Sequence, residues 1–340
     1  MTALVTAPGR VARRRALLLS VTVAGLLALA CAVAVSVGEY RIPLRDVAAA
    51  AFGTGDAGTT FVVQTLRLPR VLTGAVVGAA FGLSGALFQG LARNPLASPD
   101  VLGVTAGAST VAVAAIVTTA GGLAVVSSAA AIGAVLSAAA VYLLAYRAGL
   151  SPYRLVLVGI GIGAVLNSVT AYLLTRSEIW DAQQAMIWLV GSLNERGWEH
   201  LWPVVGALAV LTPVAVWAAR PLRVMQLGDD TARALGVPLE VNRLILILAA
   251  VGLAAVGVAA AGPVPFVAFV APAIARQLVR TSVTLIPAAL LGALLVVVAD
   301  LLARTVAAPT ELPVGVITGV VGAPYLLWLL ARANRLGAGG

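Results

Sequence analysis

The chain has 340 residues, of which 61% are hydrophobic and only 10% are charged. So few charged residues cannot cover a water-facing surface, which excludes an ordinary soluble protein and makes a lipid-facing surface the simplest explanation. The formal net charge is +9, and all 22 basic residues are arginines. They stand in short breaks between apolar runs, without the interleaved aromatic residues of a nucleic-acid site, so we expect no nucleic-acid partner.

Apolar runs recur along the chain, separated by charged residues, glycine or proline. A membrane-spanning helix needs about 20 mostly apolar residues. A barrel strand would alternate polar and apolar positions, and these runs do not. We therefore predict an all-α membrane protein with about ten transmembrane helices. The predicted spans are residues 16–35, 69–90, 100–119, 124–146, 155–175, 200–219, 243–262, 264–279, 282–303 and 313–333.

The arginines determine the predicted orientation. With the N-terminus inside, fifteen arginines fall on the cytoplasmic side and seven on the other side, so the positive-inside rule places both termini in the cytoplasm. The basic residues before the first run could begin a signal peptide, but the run lacks a persuasive cleavage site and we interpret it as a retained span. The predicted domains are a cytoplasmic tail at 1–15, one transmembrane domain at 16–333 with a cytoplasmic loop at about 220–243, and a cytoplasmic tail at 334–340.

The first motif in chain order is Arg67-Leu68-Pro69-Arg70, at the start of the second span. Pro69 suits the first turn of a helix, where no backbone donor is lost, so both arginines would lie at the outer mouth of this span. Their spacing of three places them on one helix face. Such a pair can dock an acidic protein surface or extend to lipid phosphates, and the residue chemistry leaves both alternatives open.

Small residues at close spacing predict tight helix contacts in two spans. The second span contains Gly82 and Gly85, which would let another helix approach closely. In the fifth span, either a tight helix crossing or a smooth pore wall would use such residues. That stripe consists of Gly159, Gly161 and Gly163, followed by Asn167.

The longest predicted cytoplasmic loop contains a short amphipathic helix. Asp229 can cap it, Asp230 favours its first turn, Ala232 and Leu235 give it an apolar face, and Gly236 can end it. A helix of this kind fits a groove on a cytoplasmic partner, or it lies flat on the bilayer.

Nothing in the sequence indicates catalysis. There is no Ser/His/Asp set, no metal-ligand cluster and no phosphate-binding glycine loop, so we predict no catalytic residue, no metal and no cofactor. Ion-coupled carriers usually keep an ionisable residue near mid-membrane, whereas Asp100, Asp300 and Glu311 fall at the ends of predicted spans. An ion-coupled secondary transporter is thereby weakened but stays the alternative, because backbone carbonyls can also coordinate ions.

Three segments together closely resemble the membrane permease family of ATP-binding-cassette importers for iron-siderophores, haem and cobalamin. They are Arg67 to Gly103, Gly228 to Val237 and Glu311 to Tyr325, and the likeness covers about residues 16–333. The resemblance implies the type II importer architecture, in which a chelate crosses the cytoplasmic (inner) membrane by alternating access. It also implies a second permease subunit, identical or paralogous, two cytoplasmic ATPase subunits that carry out ATP hydrolysis, and an extracytoplasmic binding protein or lipoprotein.

The resemblance assigns roles to particular residues. Arg67, Arg70 and Arg304 match the outer arginines that meet acidic residues of the binding protein. The residues that match the part entering the ATPase cleft are Leu227, Gly228, Asp229, Asp230, Ala232, Leu235, Gly236 and Val237. Those that match the inner gate and the pathway-lining helix are Ser151, Pro152, Tyr153, Gly159, Gly163 and Asn167.

The segment from Gly262 to Arg276 departs from the family pattern at three positions. Pro265 and Ala268 stand where glycine is usual, and Ala273 stands where histidine is usual. The missing histidine puts in doubt any polar role at that point. Pro265 implies a stiffer turn into the eighth span.

Overall fold

A computed structural model describes residues 7–38, 40–119, 122–147, 149, 151–281, 283–307 and 310–337. In these ranges the chain is helical and contains no β-strand. The α-helices are α1 Ala7–Ser36, α2 Leu44–Ala51, α3 Ala57–Phe61, α4 Leu68–Ala92, α5 Val104–Thr119, α6 Leu123–Ala145, α7 Pro152–Arg176, α8 Ile179–Val190, α9 Trp198–Met225, α10 Asp229–Ala234, α11 Leu239–Ala261, α12 Val267–Val279, α13 Leu285–Thr305 and α14 Val314–Gly337; a π-helical segment, Val62–Arg67, joins α3 to α4.

Every one of the ten predicted spans coincides with a helix. Seven helices in the described ranges are long and apolar enough to cross a membrane, with α3, the π-helical segment and α4 forming one of 36 residues. The helices α5 and α12 and the apolar part of α14 are shorter. The prediction of an all-α membrane fold is confirmed, while the sidedness of the termini stays a prediction.

The second span begins close to where it was predicted, because α4 starts at Leu68 with Pro69 in its first turn. The helix α3 and the π-helical segment precede α4 without a break from Ala57, so Arg67 lies within a continuous helical stretch. Pro69 has no N–H group, and its ring needs room against the carbonyl of the residue four positions earlier. The wider π-helical turn just before Pro69 provides that room and keeps the helix continuous.

The eighth span begins three residues later than predicted, at Val267. Gly262 and Phe266 hold left-handed backbone, with φ of +71° and +66°. Pro263 and Pro265 lie between them, so no regular helix can form before Val267. Parts of both predicted cytoplasmic tails are helical, since α1 begins at Ala7 and α14 runs to Gly337. Residues 1–6 and 338–340 lie outside the described ranges, and the location of the tails stays a prediction.

The helix α4 is the centre of the bundle and is buried along most of its length. It packs against α9, α11, α12 and α13. A methyl group added at Gly82 would overlap the backbone of Ala288 in α13, and one at Gly85 would overlap the backbone of Ala268 in α12. The predicted close helix contacts at Gly82 and Gly85 are therefore confirmed.

Two ends of this bundle carry the predicted functional residues. We call the end with Arg67, Arg70 and Arg304 the outer end, and the end with α10 the inner end, following the predicted orientation.

Candidate functional site

At the outer end, Arg67 is bound inside the protein. Its guanidinium donates hydrogen bonds to the backbone carbonyls of Val35 at 2.9 Å, Ser36 at 3.2 Å and Tyr40 at 2.6 Å. The residue is only 9% exposed. Arg67 thus holds the C-terminal end of α1, and the chain that follows it, against the π-helical segment.

Arg70 and Arg304 share one carboxylate. Arg70 donates to Asp300 Oδ1 at 2.9 and 3.1 Å and to Glu311 Oε2 at 2.9 Å. Arg304 lies 3.1 Å from Asp300 Oδ2 and also donates to the carbonyls of Ala34 and Val37. We call Arg70, Asp300, Arg304 and Glu311 the outer ion cluster; it joins α4 to α13 and to the segment before α14.

The structure brings the three predicted docking arginines together around one cavity of 560 Å³. Their side chains are largely buried and bound to the protein itself, a role that sequence reasoning missed. The signal that was available is Asp300, four residues before Arg304 in α13 and therefore on the same helix face. Contact with a binding protein stays a prediction for these arginines.

At the inner end, α10 is attached to the bundle through Asp229. The prediction that Asp229 caps α10 is wrong, because Gly228 occupies the N-cap position with φ of +109° and Asp229 is the first helical residue. The Asp229 carboxylate accepts hydrogen bonds from Arg93, just after α4, and from Arg243 in α11 at 2.5 Å. Burial alone would raise the pKa of Asp229, but the hydrogen bonds and charges of Arg243 and Arg93 outweigh burial and lower it.

The two apolar residues of the predicted amphipathic helix point in different directions. Ala232 is fully buried against the bundle, whereas Leu235 is 63% exposed and Leu227, just before α10, is 66% exposed. Gly236 follows with φ of +79°, so the predicted end of the helix at this glycine is confirmed. Asp230 lies in the first turn as predicted, and it pairs with Arg233 on the exposed side. The segment from Leu227 to Val237 therefore presents two leucines outward at the inner end.

The small-residue stripe of α7 has two sides. Gly159 and Gly163 are buried where the loop before α5 crosses α7, and a methyl group at Gly159 would meet the Cα atom of Leu102 at 2.8 Å. Gly161 and Asn167 lie on the exposed side. The first pair forms a tight crossing, which leaves the exposed side of α7 available to line a pathway.

The predicted inner gate lies at the start of α7. Ser151 occupies the N-cap position without a side-chain capping bond, and Pro152 is the first helical residue. The Pro152 side chain is outside the described part of the chain. Tyr153 projects outward and is mostly exposed.

The three acidic residues named above are all engaged. Asp100 lies in the loop before α5 and accepts a hydrogen bond from the Thr105 hydroxyl at 2.6 Å, while Asp300 and Glu311 belong to the outer ion cluster. Asp100 also lines a mostly apolar cavity of 490 Å³ between α7, α12 and α14.

Taken together, these features define a class of protein. The chain is a multi-pass helical membrane protein with small-residue helix crossings, an ion-paired outer end and a short inner helix tethered to its central helix. That combination is typical of the membrane subunit of a transporter.

The comparisons with known proteins specify the class further. The FecCD transport family matches residues 26–332. The chain is 41% identical over 315 residues to the ferric enterobactin transport system permease protein FepG of Escherichia coli, covering 91% of this chain and 96% of FepG. It is 37% identical over 312 residues to the iron(3+)-hydroxamate import system permease protein FhuG of Bacillus subtilis, covering 89% and 93%.

A solved structure agrees with the sequence matches. The fold superposes on an inward-facing conformation of a metal-chelate type ABC transporter with a TM-score of 0.80 and 26% identity, covering 92% of this chain and 98% of that chain. The chain belongs to the FecCD transport family and is a permease subunit of an ABC importer, in the cytoplasmic membrane.

Proposed function

We propose that this permease moves a ferric-siderophore or a related chelate across the cytoplasmic membrane by alternating access. The support for a ferric cargo is the identity to FepG and FhuG, whose names specify ferric enterobactin and ferric hydroxamates. A vitamin B12 import permease, BtuC of Salmonella typhi, is also similar, at 35% identity. We therefore assign the cargo class as a bulky metal chelate, with ferric-siderophores first and cobalamin or haem second.

The importer in this proposal has several subunits. Two copies of a cytoplasmic ATPase hydrolyse ATP, a second permease subunit completes the pathway, and an extracytoplasmic binding protein delivers the chelate. The permease itself makes no covalent change to the cargo. Its task is to expose the pathway to one side of the membrane at a time.

The attachment of α10 is the observation that carries this mechanism. Leu227 and Leu235 are exposed at the inner end, where an ATPase groove could bind them. Asp229 joins the same short helix to Arg93 at the end of α4 and to Arg243 at the start of α11. A movement of the ATPase that displaces α10 would therefore pull on the central helix and on one of its main packing partners.

The exposed side of α7 is our candidate for the pathway wall. Gly159 and Gly163 pack α7 against the loop before α5, while Tyr153 and Asn167 are exposed on α7. A wide conduit that interacts weakly with its cargo suits a bulky chelate, because strong binding would slow its release. We assign Tyr153, beside Ser151 and Pro152, to the inner gate.

At the outer end we assign Arg67, Arg70 and Arg304 to the docking of an acidic binding-protein surface. They line one cavity of 560 Å³ together with Arg41. Asp300 and Glu311 already neutralise part of the positive charge of these arginines. The binding protein would therefore contact the rim of the cavity and the positive charge that is not neutralised.

The replacement of Asp229 by asparagine tests the coupling role. The variant keeps the size of the side chain but loses the charge that holds both arginines, so we expect ATP-driven chelate uptake to fall at least tenfold while basal ATP hydrolysis continues. Asp46→Asn is the control, because it removes an exposed, ion-paired carboxylate far from α10. Equal uptake by the two variants in proteoliposomes would refute the coupling role of Asp229.

A further inference from the structure

A groove at the inner end separates α1 from α9, and the N-terminal end of α13 forms its floor. The groove encloses 400 Å³, and its lining includes Arg13, Leu17, Val216, Arg223, Thr284 and Ile286. It lies outside α10 and α7, so the proposed coupling and transport roles do not account for it.

The floor of the groove contains an unsatisfied polar group. Thr284 is only 4% exposed, and its hydroxyl has no hydrogen-bond partner among the described residues. It occupies the N-cap position of α13 without making the usual side-chain capping bond. The N–H groups of Leu285 and Ile286 in the first turn of this 21-residue helix also lack intrahelical acceptors and carry a partial positive charge, while the third residue, Pro287, has no N–H. This floor therefore offers donors to an anion.

The rim of the groove is positively charged. Arg13 on α1 and Arg223 on α9 are both exposed, and neither makes a hydrogen bond or an ion pair within the described ranges. No acidic residue is among the residues that line the groove. Two guanidinium groups above the end of a helix form a binding site for a phosphate group.

The walls of the groove are apolar and open to the surroundings. Leu17, Val216 and Ile286 line it, and each exposes about half of its surface or more. In a membrane protein such walls face acyl chains, and a free anion would leave them uncovered.

We propose that this groove binds one anionic phospholipid. Its phosphate lies between Arg13, Arg223 and the start of α13, and an acyl chain runs between α1 and α9. The predicted orientation places this end at the cytoplasmic leaflet, where basic pockets between helices bind anionic headgroups. The lipid would join α1 to α9, which make little direct contact with each other.

Native mass spectrometry of the assembled importer, purified in detergent and titrated with phosphatidylglycerol, tests the proposal. We expect the wild type to retain phosphatidylglycerol in preference to phosphatidylcholine. Each basic side chain near a headgroup contributes roughly a fivefold gain in affinity, so the Arg13→Gln/Arg223→Gln variant should bind at least tenfold more weakly. Thr284→Val, which replaces the hydroxyl by a methyl group, should weaken lipid binding further when it is added to the double glutamine variant. The Arg13→Lys/Arg223→Lys variant, which keeps both positive charges, should retain most of the wild-type affinity.

The Arg14→Gln/Arg220→Gln variant is the control, because it removes the same charge from exposed positions outside the groove. This control should retain the lipid at wild-type affinity. Equal loss in both glutamine variants would overturn the proposal in favour of a diffuse attraction between the basic surface and the lipid. Displacement of phosphatidylglycerol by an equal concentration of inorganic phosphate would also overturn it, because the site would then bind a free anion without a lipid.

Discussion

Replacing Asp300 by asparagine should destabilise the outer end of this permease. Asp300 is 2% exposed, and its carboxylate lies 2.9 Å from Arg70 and 3.1 Å from Arg304. Asparagine keeps the shape but removes the charge that neutralises two largely buried guanidinium groups. Removing one partner of a buried ion pair costs about 3–5 kcal/mol. The lower end of that range applies here, because Arg70 keeps Glu311 and Arg304 keeps two backbone carbonyls.

The expected loss is therefore about 3 kcal/mol, which corresponds to a melting temperature roughly 4 °C lower for a chain of this size. Tryptophan fluorescence during thermal unfolding in detergent would measure it. Asp46→Asn is the matched control at the same end, because the Arg45–Asp46 pair is exposed and should contribute less than about 1 kcal/mol.

A double-mutant cycle decides whether Asp300 and Arg304 interact. Asp300→Asn combined with Arg304→Gln should be less damaging than the sum of the single variants, because the second change removes the guanidinium that the first leaves unpaired. Melting of Asp300→Asn within 1 °C of the wild type, together with simple additivity, would refute the outer ion cluster. The arginines would then be free to bind a partner with their full charge.

Further predictions concern docking, coupling and the pathway. Arg67→Glu/Arg70→Glu should abolish capture of the loaded binding protein in a pull-down, with retained ATPase assembly as the sign of folded protein; unchanged capture would remove the docking role. Leu235→Glu should uncouple ATP hydrolysis from uptake by putting charge into the ATPase contact, and normal coupling would count against that contact. Gly163→Trp should block transport or disrupt helix packing, and normal uptake would show that this part of α7 does not belong to the transport pathway. Because the pKa of Asp229 is lowered from 3.8, its ion pairs persist above that pH and weaken only as the pH falls below it. The uptake defect of Asp229→Asn should therefore be constant between about pH 5 and 8, and a defect that appears only at the upper end would contradict this assignment.

The helices could be predicted from the sequence because the bilayer imposes a length and an apolar composition on each span. All ten predicted segments are helical in the structure. The differences lie near prolines, where the backbone changes locally. Before Pro69 a π-helical segment extends the helix beyond the predicted span, and around Pro263 and Pro265 left-handed residues delay the start of α12.

The pairing of charges could not be predicted, because it depends on contacts between distant parts of the chain. Arg70 and Asp300 are 230 residues apart, and Arg93 and Asp229 are 136 residues apart. Local rules predicted that Asp229 would cap its own helix, but the two arginines brought to it by the fold bind its carboxylate instead. The outward direction of Leu235 likewise depends on how α10 packs against the bundle.

Uptake of a labelled ferric-siderophore into proteoliposomes tests the central claim most directly. The permease would be reconstituted with its ATPase subunits and binding protein, and uptake measured with and without ATP and with a protonophore. We predict that uptake requires ATP and the binding protein and is unaffected by the protonophore. Uptake by this chain alone, driven by an ion gradient and abolished by the protonophore, would contradict the account and establish a secondary transporter.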